Sequence, residues 1–132
     1  MGAKQVIRDE FGYDPELHRP PPISSSGANR FKTEIVFIGH WEPSTERSIL
    51  RLKREGFDVK IWGGLWERAK DKSLTLDKSQ FYPIYREEYV NTLATAKICL
   101  AIYSKVNRNQ SAGRTFEIPA IGSFMLAERT EE

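Results

Sequence analysis

Two short apolar runs, each closed by glycine and separated by one amphipathic helix pattern, constrain the fold of this chain more than any other feature. Glu34-Ile35-Val36-Phe37-Ile38 is β-branched and apolar after its first residue and stops at Gly39, as a strand buried on both faces does. Phe57-Asp58-Val59-Lys60-Ile61-Trp62 reads as a second strand and stops at Gly63-Gly64. Between them Pro43 suits a first helical turn, and Ile49, Leu50 and Leu52 share one face. Arg51, Lys53 and Arg54 favour the negative end of the helix dipole, and Gly56 is the stop. Strand, helix and strand in this order form a βαβ unit, which makes the two strands parallel.

The alternation continues. Leu65 to Lys70 has room for a short helix, and Lys72 to Tyr82 is polar and reads as irregular. Tyr85, Tyr89 and Leu93, at steps of four with Val90 beside them, predict a helix from about Ile84 to Ala94. Ile98 to Tyr103 is a third strand, Ser104 to Gly113 a polar loop, a short helix begins near Arg114, and Phe124 to Ala127 is a fourth strand. The fold class is therefore α/β, a Rossmann-like parallel sheet with flanking helices, whose ligand crevices lie at the carboxyl ends of the strands.

Residues 1–31 have a different character. Phe11-Gly12-Tyr13-Asp14-Pro15, Pro20-Pro21-Pro22 and Ser24-Ser25-Ser26-Gly27 are turn and extended-linker chemistry. The expectation is an interdomain linker with the end of a preceding domain over 1–31, and a Rossmann-like domain over 32–132. The sequence stops at Glu132, just after the fourth strand, where such a domain would normally still need covering helices. It is expected to be incomplete there, leaving a surface open to self-association or to a partner chain.

Composition narrows the classes. A hydrophobic content of 39% with 29% charged residues belongs to a folded globular protein. No apolar run approaches the roughly 20 residues of a membrane span, and Met1-Gly2-Ala3-Lys4 lacks the apolar core of a secretory signal, so the default location is the cytoplasm. The net charge is only +2 and acidic residues interrupt the basic ones, so nothing calls for nucleic acid. Cys99, the one cysteine, lies inside a strand pattern and reads as a core thiol. Two histidines without clustered cysteine predict no metal site, and no cofactor is expected.

Candidate chemistry gathers at strand ends. The Gly39-His40 and Gly63-Gly64 turns can let backbone approach a ligand, or can simply be turns; they spell neither the dinucleotide fingerprint nor a P-loop. His40 is placed to donate to a phosphate or a sugar hydroxyl, or is an ordinary surface histidine. The loop from Ser104 to Thr115 puts Lys105, Arg108 and Arg114 with Asn109 and several hydroxyls ahead of a helix N-terminus, which suits an anion cradle as well as a solvated loop. Arg114 can make forked bonds to a diphosphate and Lys105 a point-charge contact. Glu117 sits in the first turns of an otherwise apolar helix, where a carboxylate needs a partner. A ribose diol would supply two donors; stabilisation of the helix dipole is the other use.

Several segments carry a resemblance. Phe11 to Pro20, Val36-Phe37-Ile38-Gly39, Ala96-Lys97-Ile98 with Asn107-Arg108, Arg114-Thr115-Phe116-Glu117-Ile118-Pro119-Ala120 and Glu128-Arg129-Thr130 resemble the glycosyltransferases related to spore maturation proteins. The resemblance runs in order from about Phe11 to Glu132 and covers part of that family's length. It implies a GT-B-type enzyme with two Rossmann-like domains, of which this chain is most of the C-terminal, donor-binding one. By position, Glu117 resembles the second glutamate of the family's two-glutamate motif, which holds the ribose of a nucleotide diphosphate sugar. Asn109 stands where the first glutamate would be. Gly39 resembles the glycine after the first donor-domain strand, and Arg114 the basic residue near the diphosphate. The donor site expected is thus Gly39, His40, Gly63, Lys105, Asn109, Arg114, Thr115 and Glu117. The acceptor half, with any catalytic histidine, would precede residue 1, so catalytic residues are unassigned and the isolated chain is not expected to turn over. The competing expectation is a non-enzymatic flavodoxin-like or nucleotide-binding interaction module that completes its own sheet.

Overall fold

The computed structural model describes residues 11–22, 33–74 and 81–131. Four strands and three helices follow in the order β1 (Thr33–Ile38), α1 (Pro43–Arg54), β2 (Val59–Trp62), α2 (Arg86–Ala94), β3 (Ala96–Ala101), α3 (Gly113–Ile121) and β4 (Met125–Ala127). Single 3₁₀ turns at Trp66–Arg68 and Lys72–Leu74 lie between β2 and α2. All three strand pairings are parallel, in the spatial order β2-β1-β3-β4. The protein is an α/β, Rossmann-like parallel sheet with flanking helices.

Alternation along β1 builds two cores on one sheet. Ile35 and Phe37 point to the α1 side, with Ile49, Val59, Ile61, Trp66 and Leu100. Val36 points to the other side, with Trp62, Val90, Leu93, Cys99 and Ile118 from β2, α2, β3 and α3. Ile35 stands opposite Val59 on one neighbour and Ile98 on the other, so β1 is paired along both edges. Its near-continuous apolar run follows from burial on both faces and both edges.

The chain steps from β1 to β2 in one direction, then returns past β1 to β3 and β4. Right-handed crossovers then demand α1 on one face and α2 and α3 on the other, as the two cores require. The chain therefore leaves β1 and β3 toward opposite faces. Their carboxyl ends flank a crevice at the topological switch point.

Several boundaries differ from the periodicity, for local reasons. β2 begins at Val59 because the Phe57 N–H still donates to Leu52 O, closing α1, and the Phe57 side chain stays exposed. β3 ends at Ala101: the Ala101 carbonyl accepts from the Glu128 N–H, and the Tyr103 N–H donates to Glu128 Oε2 at 3.4 Å. α2 begins at Arg86, two residues after the pattern starts, yet Ile84 is buried in the core from the extended segment before it. Cys99 is fully buried, as expected, and burial pushes its thiol up to about 12. Much of the irregular stretch from Lys72 to Tyr82 falls on 75–80, and most of the 1–31 linker on 1–10 and 23–31, outside the described residues. The described part, 11–22, is a compact turn with Leu17 packed on the α2–α3 core and His18 buried. No helix among the described residues is long and apolar enough to cross a membrane.

Candidate functional site

The floor of the crevice is the end of β1. The Gly39 N–H donates to Trp62 O at 2.8 Å, and its carbonyl accepts from Trp66 Nε1 at 2.9 Å, which pins the turn to β2 and to the α1-side core. Gly63 crosses this backbone so closely that a Cβ there would lie 2.1 Å from the Gly39 carbonyl oxygen, at a φ of 139°. Only glycine fits. Above Gly39 lies the Arg114 guanidinium: a Cβ on Gly39 would stand 3.0 Å from both terminal nitrogens and 2.7 Å from Phe37 Cζ. The guanidinium carbon is 5.3 Å from the Phe37 ring centroid, within cation–π range.

The wall is the start of α3. Thr115 Oγ1 accepts from the Ala112 N–H at 3.1 Å and bonds the Tyr103 hydroxyl at 3.2 Å, which fixes the first turn against the end of β3. Glu117 folds back over its own helix start, so that a Cβ on Gly113 would come within 3.0 Å of Glu117 Oε1. A carboxylate is favoured there by the helix dipole. Tyr89, one turn into α2, donates its hydroxyl to Glu117 Oε2 at 2.6 Å. On the far side of the carboxylate, His18 Nε2 is 4.0 Å from Oε1.

Charge at the site is held in unequal environments. Burial lowers the proton affinity of the Arg114 guanidinium, against the pull of Tyr89, Glu117 and Tyr103, yet an arginine remains a cation. Its Nη1 is buried and has no hydrogen-bond partner among the described residues. Burial, then the hydrogen bond to Glu117, pushes the Tyr89 phenol well above its usual range, so it stays a donor. A cation, a helix N-terminus and a braced carboxylate thus face one space. They can bind an anion and, a few ångströms away, a hydroxyl group.

Gly39, His40, Gly63, Arg114 and Glu117 line one cavity of about 410 Å³ between the ends of β1 and β2 and the start of α3. Asn109 lines a smaller one of about 190 Å³ on the other side of Arg114, which His40 and Arg114 share. Thr115 is turned to the helix cap described above rather than to either cavity. Lys105 also lines neither: its Nζ is 2.6 Å from Glu128 Oε1. The loop it belongs to is anchored by Glu42, whose carboxylate accepts from the Ser104 hydroxyl and from the Lys105 and Val106 N–H groups.

The lining residues outside the sequence candidates include three with polar side chains reaching the cavity from other segments: His18, Tyr89 and Arg86. Tyr89 carried a helix-face signal that was spent on packing, and the same stripe could have marked it as a residue reaching α3. His18 comes from the turn-rich leader, where nothing local announces a contact with residue 117. Arg86 adopts a φ of 52°, in the left-handed region, at the mouth of the cavity.

No curated protein and no solved structure matches this chain. A glycosyl transferase-like family model matches residues 45–132, from the first turn of α1 to the end, including Tyr89 and the Arg114 to Glu117 wall. With two thirds of its residues inside that match, the chain belongs to the glycosyl transferase-like family.

Proposed function

We propose that the crevice binds the nucleoside diphosphate part of a nucleotide sugar, and that the chain is the donor-binding domain of a glycosyltransferase of the spore-maturation-protein-like, GT-B type. One observation carries this reading: Arg114, the α3 N-terminus and Glu117 converge on a single cavity at the switch point of the sheet. Arg114, which lines the cavity, takes the diphosphate through its guanidinium. The N–H groups of the first turn of α3 add partial positive charge beside it. Glu117, held by Tyr89, accepts from the ribose hydroxyls. Gly39 and Gly63 keep the floor low enough for the ligand to reach this wall.

In glycosyl transfer the bond from the anomeric carbon to the diphosphate breaks and negative charge grows on the departing phosphate. Preorganised cations and helix-end donors stabilise that charge more than the starting state, which lowers the barrier. The acceptor and the groups that activate it belong, in this reading, to a second Rossmann-like domain joined through 1–31. The 132 residues alone bind donor without turning it over.

Calorimetric titration with uridine diphosphate and guanosine diphosphate tests the assignment. At least one should bind, and Glu117→Ala should weaken it by tenfold or more, the loss of hydrogen bonds to a charged group. Failure of both nucleotides to bind, or an unchanged affinity in Glu117→Ala, overturns it.

A further inference from the structure

We infer that His18 and Glu117 grip one ligand hydroxyl between them, His18 donating to it and Glu117 accepting from it, which makes the 14–19 turn part of the binding site. This rests on the nucleotide reading above and specifies which group of the ligand the site selects.

The turn that carries His18 is closed several times over. Asp14 Oδ1 accepts from the N–H groups of Glu16 at 2.9 Å and Leu17 at 3.3 Å, and the Asp14 carbonyl accepts from the His18 N–H at 2.7 Å. The Asp14 N–H in turn donates to His18 Nδ1 at 3.0 Å. An imidazole whose Nδ1 accepts carries its proton on Nε2 when neutral, so the ring presents a donor on its outer edge. Leu17 packs on the α2–α3 core, and the His18 ring meets Tyr89 edge-on at 6.1 Å, which holds that edge toward Glu117.

The spacing then decides what the pair can hold. His18 Nε2 and Glu117 Oε1 are 4.0 Å apart, too far for a direct hydrogen bond, and both line the main cavity. An oxygen at about 2.8 Å from each would see them at an angle of roughly 90°, about 20° below the tetrahedral angle between a hydroxyl's O–H and its lone pair, a difference that slightly bent hydrogen bonds absorb. A hydroxyl has both functions; an ether, a methylene or a carbonyl does not. Tyr89 already occupies the other carboxylate oxygen, which leaves Oε1 to face the ligand. A nucleotide without the hydroxyl leaves a buried donor and a half-buried acceptor unpaired, and sites built this way discriminate against such analogues.

The experiment compares the better-binding nucleoside diphosphate with its 2′,3′-dideoxy form on the whole chain. Wild type should prefer the ribose form by tenfold or more. In His18→Asn the amide oxygen can replace Nδ1 as acceptor for the Asp14 N–H, but no donor reaches Glu117. This variant should lose about tenfold of the preference while its dideoxy affinity stays put. His18→Gln places an N–H near the old Nε2 and should keep more of the preference than His18→Asn. An unchanged preference in His18→Asn overturns the inference. So does an equal weakening of both nucleotides in both variants, which marks His18 as packing only. Wild type that binds both forms equally overturns the hydroxyl grip and leaves the diphosphate contact standing. Wild type that binds neither overturns the nucleotide reading and this inference with it.

Discussion

Gly39 is the residue at which the core and the site compete for the same few ångströms. A Cβ there would meet Phe37, 2% exposed, and the Arg114 guanidinium at once. Gly39→Ala therefore drives a methyl group against both a core ring and the proposed phosphate-binding cation and displaces them, an overpacking of about 1–2 kcal/mol. Expected are a chain that still folds, a slightly lower midpoint in thermal denaturation, and a nucleoside diphosphate affinity reduced by more than the stability change alone would give. An alanine variant with wild-type affinity would show that Arg114 can leave Gly39 without consequence for the ligand. The glycine was legible in sequence as the stop of a strand; its use as a seat for Arg114 was not, because the two residues meet only when α3 docks. Glu46 makes the same point from the structural side. It is 5% exposed in the first turn of α1, and its carboxylate is satisfied by Trp41 Nε1 and by the Lys70 and Asp71 N–H groups. Three donors on one buried carboxylate tie down the loop after β2, a structural use that helical periodicity cannot disclose.

At the level of elements, β1, α1, β2, β3 and α3 were readable because each buries a face whose period the sequence must obey. What escaped was how the loops are held, since loop anchors join residues far apart in the chain and leave no period. Glu42, the N-cap position of α1, reaches Ser104, Lys105 and Val106 beyond β3, and so couples the two turns that border the crevice. Burial pushes its carboxyl up, but the Ser104 hydroxyl, the two backbone N–H groups and the Lys105 charge outweigh this and hold it below its ordinary 4.5. A carboxyl depressed on folding stabilises the docked loop above its unfolded pKa, and that contribution disappears as pH falls through the lower folded value. The Lys105 and Val106 amide resonances should therefore titrate together with a midpoint below 4.5. Glu42→Gln should abolish that titration, leaving the loop's conformation independent of pH in this range. A midpoint at or above the ordinary value in wild type would mean that the loop is not held by the ionised carboxylate.

For the whole molecule, the crevice takes its floor from the ends of β1 and β2, one wall from α3 and the other from the start of α2 with its preceding segment and His18, which comes from a turn ahead of the sheet. The floor rests on both cores: Trp66, in the α1-side core, donates to Gly39, while Trp62, in the opposite core, accepts from it. A ligand seated there contacts groups whose positions depend on both faces of one sheet. Its binding energy should thus stabilise the molecule as a unit rather than one layer of it. At a hundredfold excess over its Kd, a ligand specific for the native state adds about 2.7 kcal/mol. For a domain of this size that raises the thermal midpoint by on the order of 10 °C. Tryptophan fluorescence, which reads Trp62 on one face and Trp41 and Trp66 on the other, and far-ultraviolet dichroism, which reads the backbone, should report the same midpoint and the same increase on adding nucleoside diphosphate. At the same ligand concentration, Glu117→Ala should remove about half of the increase or more and keep the two probes coincident. If the ligand raised the fluorescence midpoint and left the dichroism midpoint in place, the two cores would be separate cooperative units, and the crevice would belong to one of them alone.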